Sequence, residues 1–445
     1  MKIYFVSLGC DKNLADSEEM LGILNRAGYE FTDDSAEAEI IIVNSCCFIG
    51  DAMEESINTV LELASMKTEG RCLALLVTGC LAERYREEIF KEMPEVDGIV
   101  GTRSWDHIPE AIASALRGKR AEEFHGLARM PKPSANRVIT TGGYYAYLKI
   151  AEGCDRRCTY CVIPYVRGNY TSVPMEELVA QAECMAEKGV SELILVAQET
   201  TRYGVDLYGK KMLPELLKRL TAISGVHWIR ILYCYPEEIT DELIATIAAE
   251  EKICHYLDIP VQHASDAVLK RMGRHTTGDE IREILTKIRD KIPDIAIRTT
   301  LMTGFPGETE EDHEQMMAFV DEMEFDRLGV FEFSPQEGTP AYGMPQQVPE
   351  DTSATRRREI MELQQEIAFE KAERNAGRVL EVLVEGKLTG EEVYVGRTYM
   401  DCPDVDGNVF FTSDRELLSG EYVKVRIREG SGYDLVGEEQ EQDPL

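Results

Sequence analysis

Three cysteines crowd one short stretch, Glu152-Gly-Cys-Asp-Arg-Arg-Cys-Thr-Tyr-Cys161, in the spacing CxxxCxxC. Three thiolates in one loop suit a soft metal or an iron–sulfur cluster. A structural zinc site would want a fourth Cys or His close by, and the chain from Cys161 to Cys184 supplies none in between. A redox pair formed by Cys158 and Cys161 would sit at the start of a helix in a different βα setting, without a third Cys. Three ligands for a cluster of four irons leave one iron open, and an open iron is a place to bind and activate a substrate. A second set is dispersed: Cys10, Cys46 and Cys80 each follow a short apolar run, Ile3–Leu8, Ile40–Asn44 and Leu73–Thr78. In a parallel sheet, equivalent strand ends gather on one edge, where open α/β sheets hold their ligands. Two of the three stand in Gly-Cys pairs (Gly9-Cys10, Gly79-Cys80), so a second three-thiolate site is expected. The bland reading, buried small hydrophobes, suits one isolated Cys better than three at matching strand ends. Cys47 should point away from Cys46 on an extended backbone. Cys72, Cys184, Cys234, Cys254 and Cys402 have no partner at useful spacing and read as core or surface thiols.

The elements that must position these thiols follow from the hydrophobic pattern. Residues 1–120 alternate short apolar runs with helical stretches (Ala15–Ala27, Asp51–Ser65, Ala82–Met93), which predicts an N-terminal α/β domain with a parallel sheet. A polar stretch over Ala121–Thr141, with Pro131 and Pro133, reads as a linker. Six strand candidates follow, Tyr145–Ile150, Glu192–Ala197, Trp228–Tyr233, Tyr256–Val261, Ile295–Met302 and Arg327–Phe333, separated by helical patterns. They predict a partial (βα)6 barrel over 140–372, with chemistry at the C-terminal ends of its strands. Asp351–Asn375 reads as a charged helix. From Gly377 four short strands (Val379–Val384, Val393–Tyr399, Val409–Thr412, Tyr422–Arg428) predict a small OB-like β-barrel over 375–441, and Gly437–Leu445 reads as an acidic frayed end.

Composition narrows the class of function. The 445 residues hold 48 Lys and Arg against 81 Asp and Glu, a formal charge of −33. That is far too negative for a protein whose main affinity comes from neutralising phosphates. No apolar run approaches the roughly 18 residues of a membrane span. The start, Met1-Lys-Ile-Tyr-Phe-Val-Ser-Leu-Gly-Cys10, reads as a first strand and not as a signal, so a cytoplasmic protein is expected. Cysteines in that compartment are metal ligands or core residues before they are disulfides.

With its aromatic Tyr160 before the third Cys, the CxxxCxxC loop resembles the radical S-adenosylmethionine superfamily. The resemblance implies a 4Fe-4S cluster on Cys154, Cys158 and Cys161. Its open iron would chelate the amino and carboxylate groups of S-adenosyl-L-methionine, and one electron would split that cofactor into a 5′-deoxyadenosyl radical. Preceded by Cys10, Cys46 and Cys80 and followed by a barrel that resembles a TRAM domain, the chain is similar to the methylthiotransferases over nearly its whole length. That implies a second 4Fe-4S cluster on Cys10, Cys46 and Cys80, carrying the sulfur to be inserted. One branch of the family acts on tRNA adenosine and another on an aspartate side chain of small-subunit ribosomal protein twelve. The second is resembled by Val6-Ser-Leu-Gly-Cys-Asp-Lys-Asn13 with Asp16-Ser-Glu18, by Val196-Ala-Gln-Glu-Thr-Thr-Arg-Tyr-Gly-Val-Asp206, and by Asp258-Ile-Pro-Val-Gln-His-Ala-Ser265. The Gln-Met-Asn that usually follows the first Cys in the tRNA branch is absent; Asp11 stands where the protein branch commonly has Pro. From Gly377 onward 7 basic residues face 16 acidic ones, which suits a basic protein partner better than RNA.

The expected activity is therefore methylthiolation of the aspartate β-carbon, with a reductant such as flavodoxin or ferredoxin and no nucleic-acid substrate. The alternatives are tRNA methylthiolation, a non-enzymatic iron–sulfur electron carrier and a zinc scaffold. Candidates for contact with S-adenosylmethionine are Tyr160, Gln198, Glu199 and Arg298. His263 and the Gly304-Phe-Pro-Gly-Glu308 turn also follow strands and could meet a ligand, though structural roles serve as well. No Ser/His/Asp set and no Walker or GxGxxG loop occurs.

Overall fold

The computed structural model describes residues 1–133 and 137–440; Ser134–Asn136 of the expected linker and residues 441–445 of the expected frayed end lie outside the described residues. The N-terminal sheet has six parallel strands in the order Glu30–Phe31, Lys2–Ser7, Ile40–Ser45, Ala74–Gly79, Gly98–Val100, Ala121–Glu123. Along its central strand Ile41 and Val43 enter one apolar core and Ile40 and Ile42 the other. That alternation, apolar on both faces from Ile40 to Val43, is what a strand covered by helices on both sides requires. Two edge strands were not visible in the pattern. Glu30–Phe31 is short and exposed, and Ala121–Glu123 falls where a linker was expected, paired with Gly98–Val100 by backbone hydrogen bonds that its polar side chains do not advertise.

The middle of the chain forms a second parallel sheet whose six strands follow one another in sequence order: Tyr145–Lys149, Glu192–Val196, Trp228–Ile231, Ile253–Asp258, Ala296–Thr303, Arg327–Glu332. Its first and last strands are not paired with each other, so the barrel is open. The fourth strand begins earlier than the expected Tyr256 and ends at Asp258, short of Pro260, which has no N–H to continue the ladder. Helices of this unit pack on its outer face through Leu178, Leu216, Ile244, Leu285 and Phe319.

The C-terminal barrel closes with five strands, Val379–Lys387, Tyr394–Arg397, Val409–Thr412, Asp434–Glu439 and Tyr422–Ser431. The fifth, Asp434–Glu439, occupies part of the stretch expected to fray; its Leu435 fills the interior beside Val409 and Phe411, and its parallel pairing with Val409–Thr412 closes the barrel. The segment that follows Arg397 plugs the N-terminal ends of the central strands. Arg230, fully buried, donates to the Tyr399 carbonyl at 2.7 Å and to Glu192 at 2.9 Å, and Arg397 pairs with the same Glu192. Asp401 takes Arg327, Asp404 accepts from Tyr145, and Asp406 accepts from Tyr256 at 2.7 Å. These carboxylates of the acidic barrel are thus spent inside the molecule and are not free for a partner, which narrows the charge argument made from the sequence.

Candidate active site

The three strands that end in Cys10, Cys46 and Cys80 are adjacent, with Ile40–Ser45 in the middle. Register holds their ends level: Ser7 lies opposite Asn44, and Ser45 opposite Gly79. Adjacent parallel strands are about 4.8 Å apart, so the three cysteines are delivered side by side at one edge. Cys10 caps helix Asp11–Arg26 and Cys80 opens helix Cys80–Glu92. Both turns need glycine. Gly9 has φ +86, and a Cβ there would meet the Cys46 sulfur at 2.9 Å; Gly79 has φ +90, and a Cβ there would meet the Asn44 side-chain oxygen at 2.4 Å. One amide ties the three ends together: Asn13 Nδ2 donates to the Leu8 carbonyl (2.9 Å) and the Ser45 carbonyl (3.0 Å), and its Oδ1 lies 3.9 Å from the Cys80 sulfur. Burial pushes the Cys46 and Cys80 thiols up, and Cys10 adds to both shifts. Cys47, expected to point away from Cys46, enters an apolar core that Cys46 does not join. It is buried in the same apolar core as Cys80, where burial pushes it up to about 12, and it raises the Cys80 thiol in turn.

The second triad lies in the irregular loop that leaves the first strand of the open barrel, between the short strand Ala151–Glu152 and helix Ile163–Val166. Cys154 and Cys158 are buried and Cys161 is partly so; burial raises Cys154 to about 12 and Cys161 still further. The loop is braced from both sides. Arg156 forks onto the fully buried Glu199 at 2.9 and 2.6 Å, while Thr159 bonds the Met272 and Arg271 carbonyls. The Cys158 sulfur sits 3.8 Å from the Tyr235 hydroxyl, and the Tyr235 ring is covered by the guanidinium groups of Arg156 (4.9 Å) and Arg274 (4.2 Å). Tyr160 packs edge-on against Phe305 of the Gly-Phe-Pro-Gly turn, at 6.3 Å.

A buried ionic seam joins the two triads. Arg167, 1% exposed, bonds Asp16 at 2.8 Å and Glu152 at 3.0 Å and reaches Asn13; Lys149 lies on the same two carboxylates. Burial alone would raise Glu152, but Arg167 and Lys149 outweigh it and hold the carboxyl below its ordinary range. Gln198 Nε2 donates to Glu152 at 2.9 Å, and its Oε1 is buried with no hydrogen-bond partner among the described residues. Further seam contacts include Tyr233 to Asp11 at 3.0 Å, Arg103 to the Arg167 carbonyl at 2.9 Å, and Arg84 to Gln336 at 2.7 Å. The N-terminal domain is therefore fastened over the C-terminal ends of the barrel strands.

Of the four residues expected to meet S-adenosylmethionine, Tyr160, Gln198 and Glu199 surround the cysteine loop. Arg298, third in its strand, is held by Asp258 (3.0 Å) and Asp406 (3.4 Å), and Asp258 also accepts from the Tyr233 N–H. His263 is fully buried, accepts from the Ser265 N–H and is pushed down to about 3 by burial, as a structural histidine would be. Asn13, Arg156, Arg167, Glu152 and Arg274 were not singled out in the sequence. Asn13, Glu152 and Arg156 lie within three residues of a cysteine in the chain, so spacing could have flagged them; Arg167 and Arg274 do not. The donors present suit iron–sulfur clusters: soft thiols in threes, with Arg167 beside one set and Arg156 and Arg274 beside the other to offset thiolate charge.

Residues 2–101 match a family model described as uncharacterized protein family UPF0004, residues 148–320 the radical SAM superfamily, and residues 376–439 the TRAM domain. The ribosomal protein uS12 methylthiotransferase RimO of Lachnoclostridium phytofermentans is 59% identical over 437 residues, covering 98% of this chain and 99% of the relative. The proteins of the same name from Pelotomaculum thermopropionicum (52% over 439 residues; 98% and 99% covered) and Acetivibrio thermocellus (50% over 444 residues; 98% of each) agree. The chain belongs to the ribosomal protein uS12 methylthiotransferase family. Solved structures add likeness of fold alone. The radical S-adenosylmethionine methyltransferase TsrM of Kitasatospora setae matches with a TM-score of 0.57 at 12% identity, covering 77% of this chain and 74% of its own. OxsB, a cobalamin-dependent S-adenosylmethionine radical enzyme, matches with 0.53 at 12% identity, covering 82% and 56%. The three matched regions follow one another along the chain without overlap. No helix among the described residues is long and apolar enough to cross a membrane.

Proposed function

We propose that this protein transfers a methylthio group to the β-carbon of an aspartate in ribosomal protein uS12, by radical S-adenosylmethionine chemistry. The observation that carries the reading is the seam: two cysteine triads on facing strand ends, joined through Arg167, Asp16 and Glu152. Cys154, Cys158 and Cys161 would hold one 4Fe-4S cluster, and Cys10, Cys46 and Cys80 the other. When bound, the first supplies the electron that cleaves S-adenosylmethionine and the second supplies the sulfur. Arg156 and Glu199 keep the loop of the first triad in one conformation, and Tyr160 and Tyr235 wall it with apolar ring surface. Gln198, anchored by Glu152 and with a free carbonyl oxygen, is placed to accept a hydrogen bond from the cofactor's amino group. The N-terminal domain, held by Arg84, Arg103 and Tyr233, covers the barrel mouth and keeps water from a reactive carbon radical.

The units 1–120, 140–372 and 375–441 are the proposed domains, a flavodoxin or ferredoxin the proposed electron donor and the cytoplasm the proposed location; tRNA is not a substrate in this reading. Anaerobic reconstitution with iron and sulfide, followed by mass spectrometry of uS12 and of tRNA in parallel reactions, tests it. A mass gain of one methylthio group on a uS12 aspartate is expected, and modified adenosine beside untouched uS12 would overturn the substrate. Failure to form 5′-deoxyadenosine would overturn the radical chemistry itself.

A further inference from the structure

We propose that His107, Glu123 and His125 form a site for one divalent transition-metal ion at the outer edge of the N-terminal sheet, separate from both cysteine triads. Glu123 ends the edge strand Ala121–Glu123, whose carbonyl accepts from Gly101 N at 3.0 Å. Phe124 turns inward, under the Arg86 guanidinium at 4.1 Å and against Gly101. The residues on either side of it, Glu123 and His125, come together, and His125 Nε2 lies 2.9 Å from a Glu123 oxygen. The His125 backbone is fixed by its N–H bond to Ser104 Oγ at 2.9 Å. His107 ends the turn Trp105–His107, its own N–H bonded to the Ser104 carbonyl, and its ring stacks on that of His125 at 3.8 Å. One ligand atom from each of the three side chains lies within 4.8 Å of the other two.

Two imidazoles and one carboxylate are a donor set for borderline first-row ions such as Zn²⁺ or Co²⁺, with water completing the shell. His125 is exposed and His107 and Glu123 only partly covered, so the ion and its water have a path in. The neighbouring Asp106 is taken by Arg129 at 2.6 Å and does not compete. The ion would replace the His125–Glu123 hydrogen bond and tie the edge strand to the segment that begins at Gly101. From that segment Thr102 bonds the Val166 carbonyl at 2.6 Å and Arg103 the Arg167 carbonyl, so the site braces the chain that fastens the two domains together. The inference stands on these side chains and does not depend on the activity proposed above.

The test uses tag-free full-length protein whose cysteine sites have first been filled with iron and sulfide. Titration with Zn²⁺, read by bound metal after dialysis, should give about one further ion per chain. Co²⁺ at this site should show d–d absorption without the sulfur-to-metal charge transfer that a cysteine site adds. His125→Ala, at an exposed position that leaves the fold undisturbed, and Glu123→Gln should each weaken uptake by more than the about 10–100-fold that loss of a supporting partner costs a metal site. Zn²⁺ should raise the unfolding temperature of the parent protein and not of His125→Ala. No uptake by the parent, or uptake unchanged in both variants, would overturn the proposal.

Discussion

Cys154, Cys158 and Cys161 share one loop, whereas Cys10, Cys46 and Cys80 come from three strands separated by two βα units. The first triad owes its proximity to the chain itself. Closing a loop of this length costs little entropy, and what remains is to hold an irregular backbone in one shape, which Arg156 does by gripping Glu199. The second triad owes its proximity to the sheet. Its cysteines meet only when three strands are paired in register, two glycines adopt φ near +90 and Asn13 spans the turns. A dispersed site is thus a report on the folded domain, while a local site is a report on one loop. The difference sets what breaks each.

Removing the ligands is the largest perturbation and separates the two sites. With three thiols per cluster, about eight irons per chain are expected. Replacing Cys154, Cys158 and Cys161 by Ala should halve that iron and abolish 5′-deoxyadenosine formation. Replacing Cys10, Cys46 and Cys80 should also halve it, stop methylthiolation, and leave cofactor cleavage in place. Iron and sulfide analysis with chromatography of the adenosine product reads both; complete loss of iron in either variant would mean that the triads are not independent sites.

Arg167 belongs to both regions, so its loss should blur the distinction. Arg167→Met leaves Asp16 and Glu152 buried together with only Lys149 between them. Breaking a buried ion pair from one side costs about 3–5 kcal/mol, and anaerobic urea unfolding should show a loss of that order. Unchanged stability would place the seam's strength elsewhere, in Arg103 or Tyr233.

Asn13→Ala should cost less and act mainly on one region, because Arg167 loses its contact with Asn13 but keeps Asp16 and Glu152. It leaves the Leu8 and Ser45 carbonyls without their amide donor, at about 2–3 kcal/mol in total. The expected result is reduced iron at the dispersed triad with normal 5′-deoxyadenosine formation from the loop; equal loss at both would contradict the local action of Asn13.

How much could be read from the chain follows the same division. The CxxxCxxC loop is legible because its meaning is a spacing. The alternation of apolar runs also carries through to both parallel sheets, because buried strands carry runs such as Ile40–Val43 that are hydrophobic on both faces. The dispersed triad was legible only after the strands were placed, from cysteines at matching ends. The residues that join the triads left no such trace: Arg167 follows helix Ile163–Val166, which sequence reasoning did not anticipate, and Asp16 is one acid among 81 acidic residues. Arg298 shows the same limit from another side. An arginine on a barrel strand looks like a carboxylate ligand, but its carboxylates, Asp258 and Asp406, come from parts of the chain that only the fold brings near. Edge strands failed too, since Ala121–Glu123 is held by backbone pairing and offers one small apolar side chain beside two glutamates.

Glu199→Gln should have the smallest effect, and it asks whether the loop triad needs its brace. Gln keeps the shape and one acceptor oxygen but removes the charge that shortens both bonds to Arg156. Arg156 is not abandoned, because Glu238 and, at 3.6 Å, Glu237 also face its guanidinium. The loss should therefore be about 1 kcal/mol, less than that for a buried ion left alone. Its signature should be confined to the loop: the dispersed triad retains its iron, overall unfolding shifts little, and S-adenosylmethionine cleavage slows because Cys154 and Cys158, on either side of Arg156, are held less firmly. If cleavage were unaffected while iron at Cys10, Cys46 and Cys80 fell, Glu199 would be acting through Arg156 on the domain seam, and the loop would be less self-contained than its spacing suggests.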